Sequence, residues 1–172
     1  MKRFTSALFA LGLIAAVSPA ALAADLDVPA DTYADMGWYL RADGGWSWLD
    51  TDNGDDGAFA LGGGMGYQYS DNLRGDIRGD WAGLDGDDYL TTLTGNLYFD
   101  IPMDTVITPY IGAGAGYGWA SGNSDGVAIA LMAGAELGLS DNLSADLGYR
   151  YRAILSEDAN DHQLLVGLRY KF

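Results

Sequence analysis

The C-terminal stretch 162–172, HQLLVGLRYKF, contains the pattern that decides the fold of this chain. Every second residue counted back from Phe172 is apolar or aromatic, whereas the residues between them are mostly polar and include Arg169 and Lys171. A period of two is typical of a β-strand with two unlike faces. In a soluble sheet the cationic face would meet water, and in a membrane barrel it would meet the lumen. The rest of the chain decides between these interpretations.

The same period of two recurs along the whole chain after residue 37. Seven further strands are predicted at residues 38–48, 58–69, 73–82, 89–99, 109–119, 127–139 and 143–153. The third of these is the most regular, because Arg74, Asp76, Arg78 and Asp80 alternate with apolar residues and glycine. An even number of strands of about ten residues each predicts an all-β fold, an eight-stranded antiparallel up-and-down transmembrane β-barrel.

The connections between the predicted strands alternate in character. The repeated Ser-Asp-Asn sequences at 70–72 and 140–142 predict tight turns, and the turn at 101–107 on the same side is longer. The connections on the opposite side are acidic or polar: residues 50–57, 83–88, 120–126 and 154–161. Short turns at one end and longer polar loops at the other are typical of outer-membrane barrels.

The distribution of charge over the strand faces favours the membrane interpretation. Every Lys and Arg after residue 23 falls on the polar face of a predicted strand, together with several carboxylates. A soluble, lipocalin-type barrel would have to bury these charges in its core, which is costly. The sequence therefore predicts a lumen charge network, with either a structural or a gating role: Arg41, Asp43, Arg74, Asp76, Arg78, Asp80, Glu136, Asp146, Arg150, Arg152, Arg169 and Lys171.

The N-terminal part of the chain has the features of an export signal. Residues 1–23 combine Lys2 and Arg3, an apolar run too short to span a bilayer, and a small-residue cleavage site ending at Ala23. We predict a signal peptide at 1–23, a short acidic leader at 24–36 and the barrel at 37–172. Without Lys2 and Arg3, seven basic residues remain against 24 acidic ones, a net charge of −17. This acidity argues against binding of nucleic acids.

Small residues on the polar face predict a filled interior. The second and fifth strands place Gly and Ala inward where other strands place Arg, and an eight-stranded barrel has interior space only for side chains. A narrow ion-conducting pore remains the alternative function. The glycine-rich sequence 112–118 is explained by the same packing, because no helix follows it to bind phosphate.

Two other candidate sites lack residues that their chemistry requires. His162 would need a serine and an orienting group for hydrolysis, but position 164 is Leu and Ser156 has no supporting pattern. A lipid A hydrolase is therefore a less favoured alternative to a non-catalytic protein. Residues 50–57 resemble a calcium loop but lack its ligands, so no metal site or other cofactor is predicted. A weaker hypothesis is that the acidic loops share divalent cations with lipopolysaccharide phosphates.

Four stretches resemble the OmpA-like family of eight-stranded outer-membrane β-barrels, especially the single-domain surface antigens of alphaproteobacteria. They are GWYLRADGGWSW (37–48), TPYIGAGAGYGW (108–119), LMAGAELGLSDNLSADLGYRY (131–151) and LLVGLRYKF (164–172). The resemblance implies a location in the outer membrane of a Gram-negative bacterium and a role in envelope integrity or surface interaction. It does not extend to a periplasmic peptidoglycan-binding domain.

The resemblance also implies partners. Leu168, Tyr170 and Phe172 are similar to the C-terminal assembly signal that the barrel-assembly machinery of this family reads during insertion. After insertion we expect the protein to be a monomer in contact with outer-membrane lipid and lipopolysaccharide.

Overall fold

The computed structural model describes residues 36–51, 54–83, 89–120, 124–155 and 159–172. The predicted signal peptide and the predicted leader up to residue 35 lie outside the described residues. No helix in the described part of the chain is long and apolar enough to cross a membrane.

The chain folds into eight antiparallel strands that form one closed barrel, which confirms the predicted fold class. The strands are β1 (Gly37–Thr51), β2 (Gly54–Ser70), β3 (Leu73–Gly83), β4 (Tyr89–Asp100), β5 (Ile107–Ala120), β6 (Ser124–Gly138), β7 (Leu143–Ile154) and β8 (Ala159–Lys171). Each strand pairs with the next, and β8 pairs with β1 from Tyr39↔Lys171 to Asp50↔Asn160. Closure leaves no sheet edge unpaired, which a bilayer requires because its core cannot hydrogen-bond to backbone groups.

The prediction of longer connections at one end of the barrel is wrong, because the strand bounds leave connections of similar length at both ends: 71–72, 101–106 and 139–142 at one, and 52–53, 84–88, 121–123 and 155–158 at the other. We call the end with connections 71–72, 101–106 and 139–142 the turn end; β1 begins and β8 ends there. The opposite end is the loop end. The strands extend further toward the loop end than their apolar alternation does, so parts of the predicted loops 50–57, 120–126 and 154–161 are strand. The reason is that ladder hydrogen bonds join backbone groups and continue where both faces of a strand are polar.

The outer face of the barrel is an apolar band with aromatic residues toward both ends. All five tryptophans point outward and are at least 42% exposed, one near the turn end and four toward the loop end. They are Trp38, Trp46, Trp48, Trp81 and Trp119. Aliphatic side chains such as Ile77, Leu93 and Val166 occupy the middle of this face. This is the aromatic-girdle arrangement of membrane barrels.

Candidate functional site

The lumen contains the predicted charged residues and two carboxylates that the sequence analysis did not assign to it, Asp100 and Asp161. Together, the described lumen has seven basic and seven acidic side chains. The basic ones are Arg41, Arg74, Arg78, Arg150, Arg152, Arg169 and Lys171, and the acidic ones are Asp43, Asp76, Asp80, Asp100, Glu136, Asp146 and Asp161. Formal charges inside the barrel therefore balance, and the net negative charge of the protein lies outside this set.

A continuous chain of ion pairs crosses the centre of the lumen from β1 through β3 to β7. Arg41 Nη2 lies 2.7 Å from Asp43 Oδ1, and Asp43 Oδ2 lies 3.0 Å from Arg78 Nη1. Arg78 Nε then donates to Asp80 Oδ1 at 2.6 Å, and the other oxygen of Asp80 pairs with Arg150. All five side chains are buried, so both of these aspartates bridge two guanidinium groups away from bulk water.

Asp76 and Asp146 flank this chain and depend more on neutral hydrogen-bond donors. Asn96 Nδ2 donates to Asp76 Oδ1 at 2.7 Å, while the nearest nitrogen of Arg41 is 3.6 Å from Asp76 Oδ2. Tyr110 Oη donates to Asp146 Oδ1 at 3.0 Å, and Arg41 Nη2 lies 3.4 Å from the same oxygen. These carboxylates attach β4 and β5 to the central ion pairs.

A second group of charges lies toward the turn end. Arg74 Nε donates to Asp100 Oδ1 at 3.0 Å, and the Arg74 guanidinium carbon lies 4.5 Å and 4.8 Å from the ring centroids of Tyr98 and Tyr110. Arg169 on β8 pairs with Glu136 on β6, so the ion pair passes over the intervening strand β7. Asp100 was missed because predicted strand four ended at Phe99; extending the inward alternation of Asn96 and Tyr98 by one step finds it.

An ion pair between Arg152 and Asp161 lies toward the loop end. Arg152 binds Asp161 with two hydrogen bonds, Nε to Oδ1 at 2.9 Å and Nη2 to Oδ2 at 2.6 Å, and Ser47 Oγ donates to Asp161 Oδ2 at 2.6 Å. The prediction that Asp161 belongs to a polar loop is wrong, because β8 begins at Ala159 and places this side chain inside the barrel. The inward positions of Gln163 and Leu165 give the parity that identifies it.

A glycine makes space for the central ion pairs. A Cβ atom at Gly62 would lie 2.5 Å from Arg78 Nη2 and would also collide with Asp80 Oδ1. The small inward residues of β2 thus accommodate the large inward residues of β3, as the sequence predicts for a filled interior.

The described part of the barrel contains small cavities at the turn end and at the centre. One of about 40 Å³ opens at the turn end, and one of about 10 Å³ lies at the centre beside Arg41, Tyr110 and Arg150. A cavity needs roughly 10–15 Å³ to hold one water molecule, so these volumes correspond to a few water molecules at the mouth and about one at the centre. Charged side chains are among the most completely buried residues of the lumen, including Arg74, Arg78, Arg150 and Arg152.

His162 and the residues of the predicted assembly signal lie on the outer face of the barrel. His162 lies on the outer face near the loop end, where its Nδ1 is 2.5 Å from Tyr149 Oη and its ring lies 5.1 Å from that of Tyr151. Ser156 and parts of the predicted acidic loops (residues 52–53, 84–88, 121–123 and 156–158) lie outside the described residues; in the described part, no group of three or more His, Asp or Glu residues could hold a metal ion. Leu168, Tyr170 and Phe172 are exposed on the outer face at the turn end.

Comparison with known proteins agrees with this architecture. The family model described as outer membrane protein beta-barrel domain matches residues 7–172, nearly the whole chain. The chain belongs to this outer-membrane β-barrel family. An uncharacterized protein of Brucella suis biovar 1 is 30% identical, over 88% of this chain and 82% of that protein, and one of Brucella melitensis biotype 1 matches equally well. The protein is therefore an outer-membrane protein of a Gram-negative bacterium, as predicted.

Solved structures of outer-membrane barrels have the same fold. Neisserial surface protein A superposes with a TM-score of 0.71 at 21% identity, covering 80% of this chain and 99% of that one. Ail of Yersinia pestis, the attachment invasion locus protein, gives a TM-score of 0.56 at 16% identity, covering 79% and 99%. The N-terminal barrel of Pseudomonas aeruginosa OprF gives 0.54 at 14% identity, covering 80% and 100%. At these identities the similarity concerns the fold of this family.

Proposed function

We propose that this protein is a non-catalytic outer-membrane β-barrel with a structural or surface-interaction role, and that its lumen is closed by ion pairs. The observation that carries the proposal is the chain from Arg41 to Arg150, which spans the lumen at its centre. A barrel filled in this way stabilises a membrane-spanning scaffold and presents its loops at the cell surface. The small volumes of the two cavities described above, about 40 Å³ and 10 Å³, support the proposal of a closed lumen.

Single-channel recording tests the closed lumen against the narrow-pore alternative. Purified protein in planar bilayers is expected to give no stable conductance steps. The double variant Arg78→Ala/Arg150→Ala removes two of the three guanidinium groups of the central chain. Its conductance shows what a barrel with a widened interior gives in the same recording. Regular, cation- or anion-selective steps from the unmodified protein would establish a pore instead.

The position of His162 supports a protein without hydrolase activity. His162 Nδ1 forms a hydrogen bond with the hydroxyl of Tyr149. A tyrosine hydroxyl does not serve as the nucleophile of a Ser–His hydrolase. Purified protein is expected to leave the acyl chains of lipid A intact in a mass-spectrometric assay. Deacylated product that disappears in His162→Ala would overturn this part of the proposal.

The role in the envelope is tested in cells. A strain that lacks the gene is expected to become more sensitive to detergent and to recover when the gene is returned, in either its original or its His162→Ala form. The proposed partners are lipid, lipopolysaccharide and, during insertion, the barrel-assembly machinery; the proposed assembled form is a monomer. Exposure of Leu168, Tyr170 and Phe172 at the turn end agrees with an assembly signal.

A further inference from the structure

The mouth of the lumen at the turn end contains two buried hydrogen-bond donors that need an acceptor. The cavity of about 40 Å³ at this end is lined by residues that include Thr108 and Arg169. Thr108 is only 3% exposed, and among the described residues no group accepts a hydrogen bond from Thr108 Oγ1 or from Arg169 Nη1. Buried donors are nearly always hydrogen-bonded in native proteins. A ligand with acceptor atoms would therefore gain two hydrogen bonds in this cavity.

The two donors belong to one site, because both are neighbours of Glu136. Arg169 pairs with Glu136 through Nη2, and Thr108 lies opposite Glu136 in the ladder between β5 and β6. The guanidinium carbon of Arg169 also lies 5.1 Å from the ring centroid of Tyr39, which lines the same cavity. These contacts hold the guanidinium in place before any ligand enters, so little side-chain freedom is lost on binding.

The charges inside this end of the barrel favour an anion. Arg74 pairs with Asp100 and Arg169 pairs with Glu136, so each of these carboxylates already has a guanidinium partner. Lys171, which also lines the cavity, adds one positive charge to this set. A single negative charge in the cavity would bring the set to neutrality.

The size and the rim of the cavity limit which anion fits. A volume that corresponds to a few water molecules admits only a small group, and a hydroxyl beside a guanidinium matches the two oxygens of a carboxylate. The rim residues Asp71 and Asp141 are exposed and repel anions, and this repulsion grows with the charge of the ligand. A monovalent carboxylate is therefore favoured over a divalent phosphate or sulfate.

We propose that the turn-end mouth binds the carboxylate of a small organic acid, which accepts hydrogen bonds from Thr108 Oγ1 and Arg169 Nη1. The carboxylate belongs either to a free acid of the size of acetate or to the end of a peptide whose remainder stays outside the mouth. This site goes beyond the structural or surface role proposed above, since the ion pairs at the centre close the lumen with or without a ligand at its mouth.

Binding of acetate to the folded protein tests the proposal. The protein is extracted from membranes in detergent and identified as folded by its gel shift on boiling. The dissociation constant of sodium acetate is measured at constant ionic strength from the NMR line broadening of the acetate signal. In protein with ¹³C-labelled threonine methyl groups, the signal of Thr108 is expected to shift and saturate. The signal of Thr92, which contacts Arg152 toward the loop end, is expected to stay constant.

Thr108→Val removes one donor and leaves every ion pair of the lumen in place. It is expected to fold as the original protein does, because the hydroxyl donates to no group in the described part of the chain. Its dissociation constant for acetate is expected to rise about ten-fold, the factor that corresponds to one lost hydrogen bond to a charged group. Thr105→Val is the matched control, because Thr105 is exposed at the same end and does not line the cavity. Arg169→Gln is expected to abolish saturable binding.

A second ligand, N-acetylglycine, separates the two sources of the carboxylate. Saturable binding of acetate alone assigns the site to a free acid, and binding of both assigns it to peptide ends as well. Acetate binding that does not saturate, or that is equally tight in Thr108→Val and Thr105→Val, would overturn the proposal. Chloride or sulfate that binds as tightly as acetate would overturn it too, because the mouth would then hold an adventitious ion only.

Discussion

At the scale of single residues, the stability of the barrel depends on carboxylates that each bridge two guanidinium groups. Asp80→Ala leaves Arg78 and Arg150 buried without their shared partner, and we expect a loss of about 3–5 kcal/mol in the free energy of unfolding. Arg78→Ala leaves Asp80 and Asp43 each without one of its two guanidinium partners. We expect it to lower the free energy of unfolding by a similar amount. The measurement is the temperature at which the boiled form appears on gels, supported by urea titration in lipid vesicles.

The contacts of individual aspartates predict an order in which their alanine variants lose stability. Asp76→Ala should destabilise the barrel less than Asp80→Ala, because the closest donor to Asp76 is the neutral amide of Asn96 and Arg41 keeps its bonds to Asp43 and Asp146. The exposed Asp104→Ala serves as the matched control and should change stability by no more than about 0.5 kcal/mol. If Asp80→Ala unfolded at the same temperature as Asp104→Ala, the ion pairs would have no stabilising role.

Asp161 provides a separate residue-scale prediction at the loop end. Asp161→Ala removes two hydrogen bonds from the buried guanidinium of Arg152 and the acceptor of Ser47. We expect a loss of about 3–5 kcal/mol, as for other broken buried pairs. Asn160→Ala, one position earlier on the opposite face of β8, is the control. Equal stability of these two variants would contradict an inward, paired Asp161.

At the scale of strands, inward glycines on one strand and arginines on its neighbour form one packing unit. Gly62→Ala on β2 would push against Arg78 and Asp80 on β3, and overpacking of this kind costs typically about 1–3 kcal/mol. Gly79→Ala on β3 is the matched control, because a Cβ atom there meets nothing within 4 Å. Thermal unfolding should separate the two variants, and equal unfolding temperatures would show that the lumen has unused space beside Arg78.

At the scale of the whole molecule, the outward position of all five tryptophans predicts how its fluorescence responds to the membrane. Brominated lipid chains should quench most of the emission, whereas iodide in the water phase should quench little. Trp38→Phe removes the one tryptophan near the turn end and should leave most of the quenching by lipid. Strong quenching by iodide and none by brominated lipid would mean that the apolar face does not contact the bilayer.

The sequence by itself determined the number of strands, their order and the face to which each side chain within the predicted strands belongs. The reason is that a strand between lipid and a charged lumen has apolar residues on its outer face and polar residues on its inner face. Its sequence therefore alternates with a period of two, as in residues 73–82. The inward assignment of Arg74, Arg78, Arg150 and Arg152 follows from that parity alone.

Only the tertiary structure decided which charges meet and where the strands end. Asp80 lies opposite Thr92 in the ladder, yet it pairs with Arg150 on β7 across the lumen, a contact that depends on the curvature of the closed barrel. Asp100 and Asp161 lie beyond the predicted strand bounds; the alternation gives their inward parity once the strand reaches them, but how far each strand extends is set by backbone pairing with its neighbours. The alternation of residues along a strand predicts whether a side chain faces lipid or lumen. The partner of a buried charge depends on which strands face each other once the sheet has closed.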